Sequence, residues 1–216
     1  RPGTSSGKMM SATLQLGQAT AVWRPIPNCV LPDRSRDRQS IAYHEAAHAV
    51  LFGLAGLPVA KVEVRHDGGS VTLDQDLIHQ QRRPDIEIDE ASPMFKEAVV
   101  LYAACFYAGI QAEYLFHGIV VPGRVVRNDS DHIHADMLLQ EIFCTPAPFA
   151  WAQQIARSII AAHWPAVAAI AVLLEAGRTV TQTEVAQALG DERPTVQQLL
   201  ALGAIKEASV LTRSLR

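Results

Sequence analysis

The 216-residue sequence predicts a mainly α protein of the α+β kind, with one small sheet. Three observations carry that prediction. Apolar residues recur at helical spacing over most of the chain beyond residue 38. Only residues 59–74 alternate with a period of two, around the turn residues "DGG". Proline and glycine fall mostly between these segments, where they punctuate them. The apolar fraction of 49% and charged fraction of 19% suit a compact chain that buries a sizeable core.

The elements follow in order. Residues 1–32 hold several prolines and little periodicity and read as an N-terminal arm, leaving 33–216 as a single domain. "RSRDRQSIAYHEAAHAVLFGLAG" is the first helix, with Gly53 and Gly56 marking its end. In "AKVEVRHDGGSVTL", Val62 and Val64 alternate with Lys61, Glu63 and Arg65, and the glycines turn the chain back through Val71 and Leu73 as a hairpin. Residues 75–93 are polar, contain Pro84 and Pro93, and read as a long loop. A helix spans about 94–116, closed by Gly118. Its apolar run "AVVLYAACFYAGI" (98–110) lies between Glu97 and Glu113 and falls short of the roughly 20 residues of a membrane span, so it reads as a buried core helix. Asn128, Asp129 and Ser130 offer N-caps for a third helix starting near Ser130 or Asp131. Beyond residue 146 the pattern is helical. Pro165 opens a helix, Gly177 closes it, and "TQTE" at 181–184 matches a capping box that begins a terminal helical pair over about 181–210.

Composition excludes several function classes. A net charge of −3 gives no basis for broad capture of nucleic acid or anionic membrane. Cys29, Cys105 and Cys144 are odd in number and widely spaced, and two lie in apolar helical surroundings. That predicts reduced, buried thiols and a cytoplasmic setting. "GTSSGKM" is one residue short of a phosphate loop, and Met9 stands where a magnesium-binding hydroxyl belongs. "TQTEVAQALGDERPTVQQLLALGAI" (181–205) has the outline of a helix-turn-helix, but its second half offers only Arg193, beside Asp191 and Glu192, to read bases. A helical pair packed on the core fits better.

Chemistry concentrates in "IAYHEAAHAV" (41–50). Residues i and i+4 share a helix face, roughly 6 Å apart. His44 and His48 can therefore turn two imidazole nitrogens toward one metal ion, and Glu45, rotated about 100°, stands beside the metal as a base for water. A solvated helix face would not carry Ala46, Ala47, Ala49 and Val50 around these residues. Catalytic zinc takes three protein ligands, so a third is required. Leu54 and Leu51 stand where the metzincin pattern needs histidine and glycine, which removes that class. Glu113 remains, together with the cluster "RNDSDHIHAD", which holds Asp129, Asp131, His132, His134 and Asp136.

Taken in order, these segments resemble the FtsH-like zinc peptidases. "AYHEAAHAV" is similar to the family's "HEAGHA" helix, "LPVAKVEV" to its following strand, and "YAGIQAEYLFHG" to its "GGRAAEELIFG" helix. "NDSDHIHAD" falls at the family's aspartate-bearing helix start, and "LLEAGRTVTQTEV" resembles its closing segment, so the likeness covers about residues 38–190. It implies a helical zincin-like peptidase domain, with a small hairpin beside the H-E-x-x-H helix. His44, His48 and Asp131 would be the zinc ligands and Glu45 the catalytic base, with Asp129, His132 and His134 as alternatives to Asp131; Glu113 would lie near the site without being the usual ligand. Ala47 and Ala108 replace family glycines, which implies slightly wider helix packing. The family's ATPase module and membrane anchors have no counterpart here, so a stand-alone, ATP-independent peptidase is expected.

Such a domain would cleave peptides, unfolded proteins, or chains delivered by a separate unfoldase or adaptor, with no nucleic acid and no membrane span involved. Substrate would add as a strand to the exposed edge of the hairpin at 59–74. The alternative is a metal-binding regulatory or interaction domain with a helix-turn-helix-like end and no turnover. Retention of Glu45 argues against it. Natural substrate and oligomeric state leave no trace in the sequence.

Overall fold

The computed structural model describes residues 37–66, 68–81, 90, 92–119, 129–190, 194–195 and 197–201. The predicted arm, Cys29, Asp67 and Arg193 lie outside them. The described chain is mainly helical with one small antiparallel sheet, the predicted class.

Helix α1 (Arg38–Leu54) begins where the Asp37 carboxylate accepts a hydrogen bond from the Ser40 amide at 2.7 Å, an N-cap that satisfies one of the orphan donors. Gly53 lies inside this helix and not at its end. A Cβ there would stand 2.8 Å from Leu189 Cδ1, so the glycine serves close packing, and the turn itself falls at Gly56, where φ is 79°. Strands β1 (Val59–Arg65) and β2 (Gly68–Leu73) form the predicted hairpin, with Val62 opposite Val71 and Val64 opposite Gly69.

The expected loop at 75–93 is corrected at its start: Gln75–Gln81 is a helix, α2, nucleated by Asp74, whose side chain accepts from the Leu77 amide at 3.0 Å. Helix α3 (Pro93–Phe116) starts at an Ser92 cap. Helix α4 (Ser130–Ile142) starts at Asp129, α5 covers Ala147–Ala162, and α6 covers Trp164–Glu175. A two-residue strand, β3 (Val180–Thr181), then pairs antiparallel with β1 and gives the order β2-β1-β3; no periodicity could announce so short a strand. Helix α7 (Gln182–Leu189) opens on the predicted capping box, with Thr181 and Glu184 exchanging hydrogen bonds. It lays Val185 and Leu189 on the core, and Leu199 and Leu200, in the short helical stretch 197–201, are buried too.

Helix α3 is the central post, packed against α1, α4 and α5. At 24 residues it is long and apolar enough to cross a membrane, but 78% of its most apolar window is buried inside the protein. Helices α1 and α3 run antiparallel, as three pairings record. His44 lies on Gly109, His48 bonds to Cys105, and Phe52 meets Tyr102 and Phe106. Cys105 is buried, and that burial raises the pKa of its thiol and keeps it protonated. Cys144 departs from expectation: just past the end of α4, it is exposed.

Candidate metal centre

One face of α1 supplies both histidines, and the fold delivers the third group from residue 131. His44 Nε2 lies 3.0 Å from His48 Nε2 and 3.0 Å from Asp131 Oδ2, while His48 Nε2 is 3.3 Å from the same oxygen. Both rings are buried, and the Asp131 side chain is 29% exposed. Asp131 occupies the first turn of α4, where the helix dipole favours a carboxylate, so one position serves the helix and the site together.

The far side of each ring fixes which nitrogen faces the cluster. His48 Nδ1 is 2.7 Å from the Cys105 carbonyl oxygen, which can only accept, so Nδ1 carries the hydrogen and Nε2 the lone pair. Glu113 Oε1 lies 2.6 Å from His44 Nδ1 and accepts from it in the same way. With His44 protonated, its Nε2–H lies between the His48 lone pair and the Asp131 oxygen. With the ring neutral, two imidazole lone pairs and a carboxylate oxygen converge on one point, an arrangement that calls for a cation between them. The three residues form a group that can hold a metal ion.

The electrostatics agree. Burial of the His44 ring pulls its pKa down, but hydrogen bonds to Asp131 and Glu113, with the charges of Glu113 and Glu45, outweigh it and push the pKa up to about 10. Burial works to raise the Asp131 carboxyl, yet the two imidazoles hold it well below the usual carboxylate range. Three carboxylates around two imidazoles leave the pocket short of positive charge, and an uncompensated buried charge is costly. A proton on His44 meets part of that deficit, and a divalent cation meets more of it.

The other expected candidates are placed elsewhere. Glu113 is not in the converging group; it holds His44 from behind. Asp129 caps α4, with Oδ1 accepting from the His132 amide at 2.9 Å and from His132 Nδ1 at 3.1 Å. His132 is buried with its ring against Tyr107, and His134 is exposed beside Phe106. Asp136 accepts from the Tyr107 hydroxyl.

Glu45 is buried and lines the same cleft of about 590 Å³ without joining the converging group. Two glycines, one from the "DGG" turn and one beside Ala108, make room for these side chains. A Cβ at Gly69 of β2 would stand 2.7 Å from Glu45 Oε1, and one at Gly109 of α3 would overlap the His44 ring. The tight contact therefore falls at Gly109 and not at Ala108. The whole of β2 lines the cleft as an edge strand, whereas β1 is paired on both sides at Lys61 and Val62. Among the described residues, the free edge of the hairpin at the cleft is thus that of β2. No protein-family model matches this chain, and no curated protein matches it.

Proposed function

We propose that this chain is a zinc-dependent endopeptidase acting on peptides and unfolded proteins, in the manner of the FtsH-like domains it resembles. The observation that carries the reading is the triangle of His44 Nε2, His48 Nε2 and Asp131 Oδ2, with Glu45 on the same cleft wall. Nitrogen and oxygen donors held about 2.0–2.1 Å from a four-coordinate zinc stand roughly 3.3–3.4 Å apart. The spacings of 3.0, 3.0 and 3.3 Å fit that requirement to within a few tenths of an ångström. Two imidazoles and one carboxylate are also a donor set that suits zinc and leaves a fourth position free for chemistry.

Zinc held there would supply Lewis acidity, polarising a scissile carbonyl and acidifying water at the site. The rest falls to the chain. Glu45 accepts the proton of the attacking water on its carboxylate and returns it to the leaving amide nitrogen. Glu113 and the Cys105 carbonyl keep both rings in the ligand tautomer. The edge of β2 offers its backbone N–H and C=O groups to an extended peptide, which aligns the substrate with little demand on its sequence. Among the described residues lining the cleft there is no Lys or Arg to clamp a terminal carboxylate, which favours internal cleavage. Glu45 in place favours turnover over a metal-holding interaction module.

The test is cleavage of an unstructured fluorogenic peptide. The zinc-loaded chain hydrolyses it, a chelator stops the reaction, and added zinc restores it. Glu45→Gln retains zinc and loses about 10²–10⁴-fold in kcat/KM, the usual worth of a general base. Full activity in that variant removes Glu45 from its role, and metal-independent cleavage overturns the proposal.

A further inference from the structure

Helix α4 carries the third donor of the candidate metal centre, yet it has little core of its own. Only His132, Ala135 and Leu139 are buried, and the helix packs chiefly against α3. With side chains reaching about 5–6 Å from the helix axis, a rotation of roughly 20° moves the Asp131 oxygen by roughly 2 Å. A metal site tolerates errors of about 0.2 Å in its ligand distances. Burial of an alanine and a leucine is non-directional and sets such a rotation loosely. A directional contact is needed.

Tyr107 of α3 supplies it twice. The side chain is fully buried, and its hydroxyl donates to Asp136 Oδ1. Its ring meets the His132 ring at an angle of 65°, with centres 5.0 Å apart. His132 and Asp136 stand four apart on α4 and share one face, so Tyr107 grips two successive turns there. Asp131, one residue before His132, is rotated about 100° from that face and meets His44 and His48 instead. His132 also ties the cap, since Asp129 Oδ1 accepts from its amide and from Nδ1. Its Nε2 is buried with no hydrogen-bond partner among the described residues, a cost that an apolar side chain would not carry. What the ring supplies against that cost is the bond to Asp129 and the contact with Tyr107. On α3, Tyr107 lies between Cys105, whose carbonyl accepts from His48, and Gly109, on which His44 rests. The stretch 105–109 therefore touches both halves of the group.

We propose that Tyr107 is a positioning residue for the candidate metal centre. By holding Asp136 and His132 it fixes the rotation of α4, and so sets the Asp131 carboxylate against the two imidazoles. Tyr107 acts through α4 and touches neither metal nor substrate. The inference rests on the metal reading of the site but not on turnover, and metal binding alone tests it.

The experiment measures zinc affinity by chelator competition, and the visible absorption of bound cobalt, on the full chain and its variants. Tyr107→Phe keeps the ring and loses the hydroxyl, and it lowers zinc affinity about 10–100-fold, the usual effect of losing an outer partner. Asp136→Ala matches it, and the double variant Tyr107→Phe/Asp136→Ala loses no more than either alone. Asp136→Asn keeps an acceptor for the hydroxyl and recovers most of what Asp136→Ala loses. At saturating cobalt the absorption band of Tyr107→Phe moves toward that of Asp131→Ala, a change in ligand geometry that lost stability alone does not produce. A Tyr107→Phe chain with the parent's affinity and band overturns the proposal, whatever its melting temperature. Asp136→Ala at full affinity, or a double variant whose losses add, overturns it too. A parent chain that takes up neither metal removes the metal reading itself, and the clamp with it.

Discussion

The two halves of the candidate metal-binding group rest on different foundations. His44 and His48 stand on α1, which buries 13 of its 17 residues and leans on α3, whose own buried face supplies Glu113, the Cys105 carbonyl and the space above Gly109. Asp131 stands on α4, which buries only His132, Ala135 and Leu139. The histidine half is therefore part of the core and is built whenever the protein folds. The carboxylate half is a short peripheral helix whose first turn is set by its Asp129 cap and by the buried His132. On the proposed metal reading, the core-borne pair of imidazoles sets where the ion sits, and the outlying helix tunes how tightly it is held.

The sharpest break in that comparison is Asp131→Ala. Removing a direct donor lowers zinc affinity by more than the 10–100-fold that follows from losing an outer partner, with helicity retained, as a competition titration against a chromogenic chelator will read. Glu113→Gln keeps the hydrogen-bond acceptor and the shape but loses the charge behind His44, so the same titration shows a loss of about 10–100-fold. An affinity unchanged by Glu113→Gln would mean the histidine half does not depend on its buried support.

Stability separates the halves differently. Ile159→Ala, fully buried on α5 and away from the cleft, costs about 2–5 kcal/mol of unfolding free energy and leaves zinc affinity as it was. Asp129→Ala costs less, about 0.5–2 kcal/mol for a lost helix cap, yet it weakens zinc because Asp131 loses its fixed turn. Denaturant unfolding and zinc titration on both variants check the crossing pattern. Parallel losses would contradict it.

Much of this was legible in the sequence, for reasons the residues make plain. The spacing of His44 and His48 is local, and helix geometry alone sends both Nε2 atoms to one face. Asp129 and Thr181 announce their caps because the hydrogen bond runs only three residues along the chain. Helix α2 stayed hidden because its cap, Asp74, sits among polar residues that read equally well as loop. The Cys105 carbonyl has no sequence signature, since any residue offers one. The packing role of Gly69 and Gly109 is visible only once Glu45 and His44 are seen lying against them. Asp131 is 87 residues from His44; spacing left it open beside Asp129, His132, His134 and Glu113, the family resemblance favoured it, and the fold sets it against His44.

Proton linkage gives a smaller effect with a definite sign. In the metal-free protein the His44 pKa is raised from 6.5 to about 10. The protonated ring thus contributes stability that is complete below pH 6.5 and is lost as the pH climbs toward 10. The depressed Asp131 contributes stability above its unfolded value of 3.8, lost as the pH falls through its folded one. Zinc must displace the His44 proton, so binding at pH 8 releases about one proton per chain. Calorimetry in two buffers of different ionisation enthalpy counts it, and zero release would contradict the raised value.

The most direct test of the account is the metal content of the purified chain and of its His44→Ala and Asp131→Ala variants, by elemental analysis after exposure to zinc and removal of excess. The account predicts about one zinc per native chain, with neither variant retaining it. A native chain that holds none, or a His44→Ala variant that holds as much as the native chain, would contradict it.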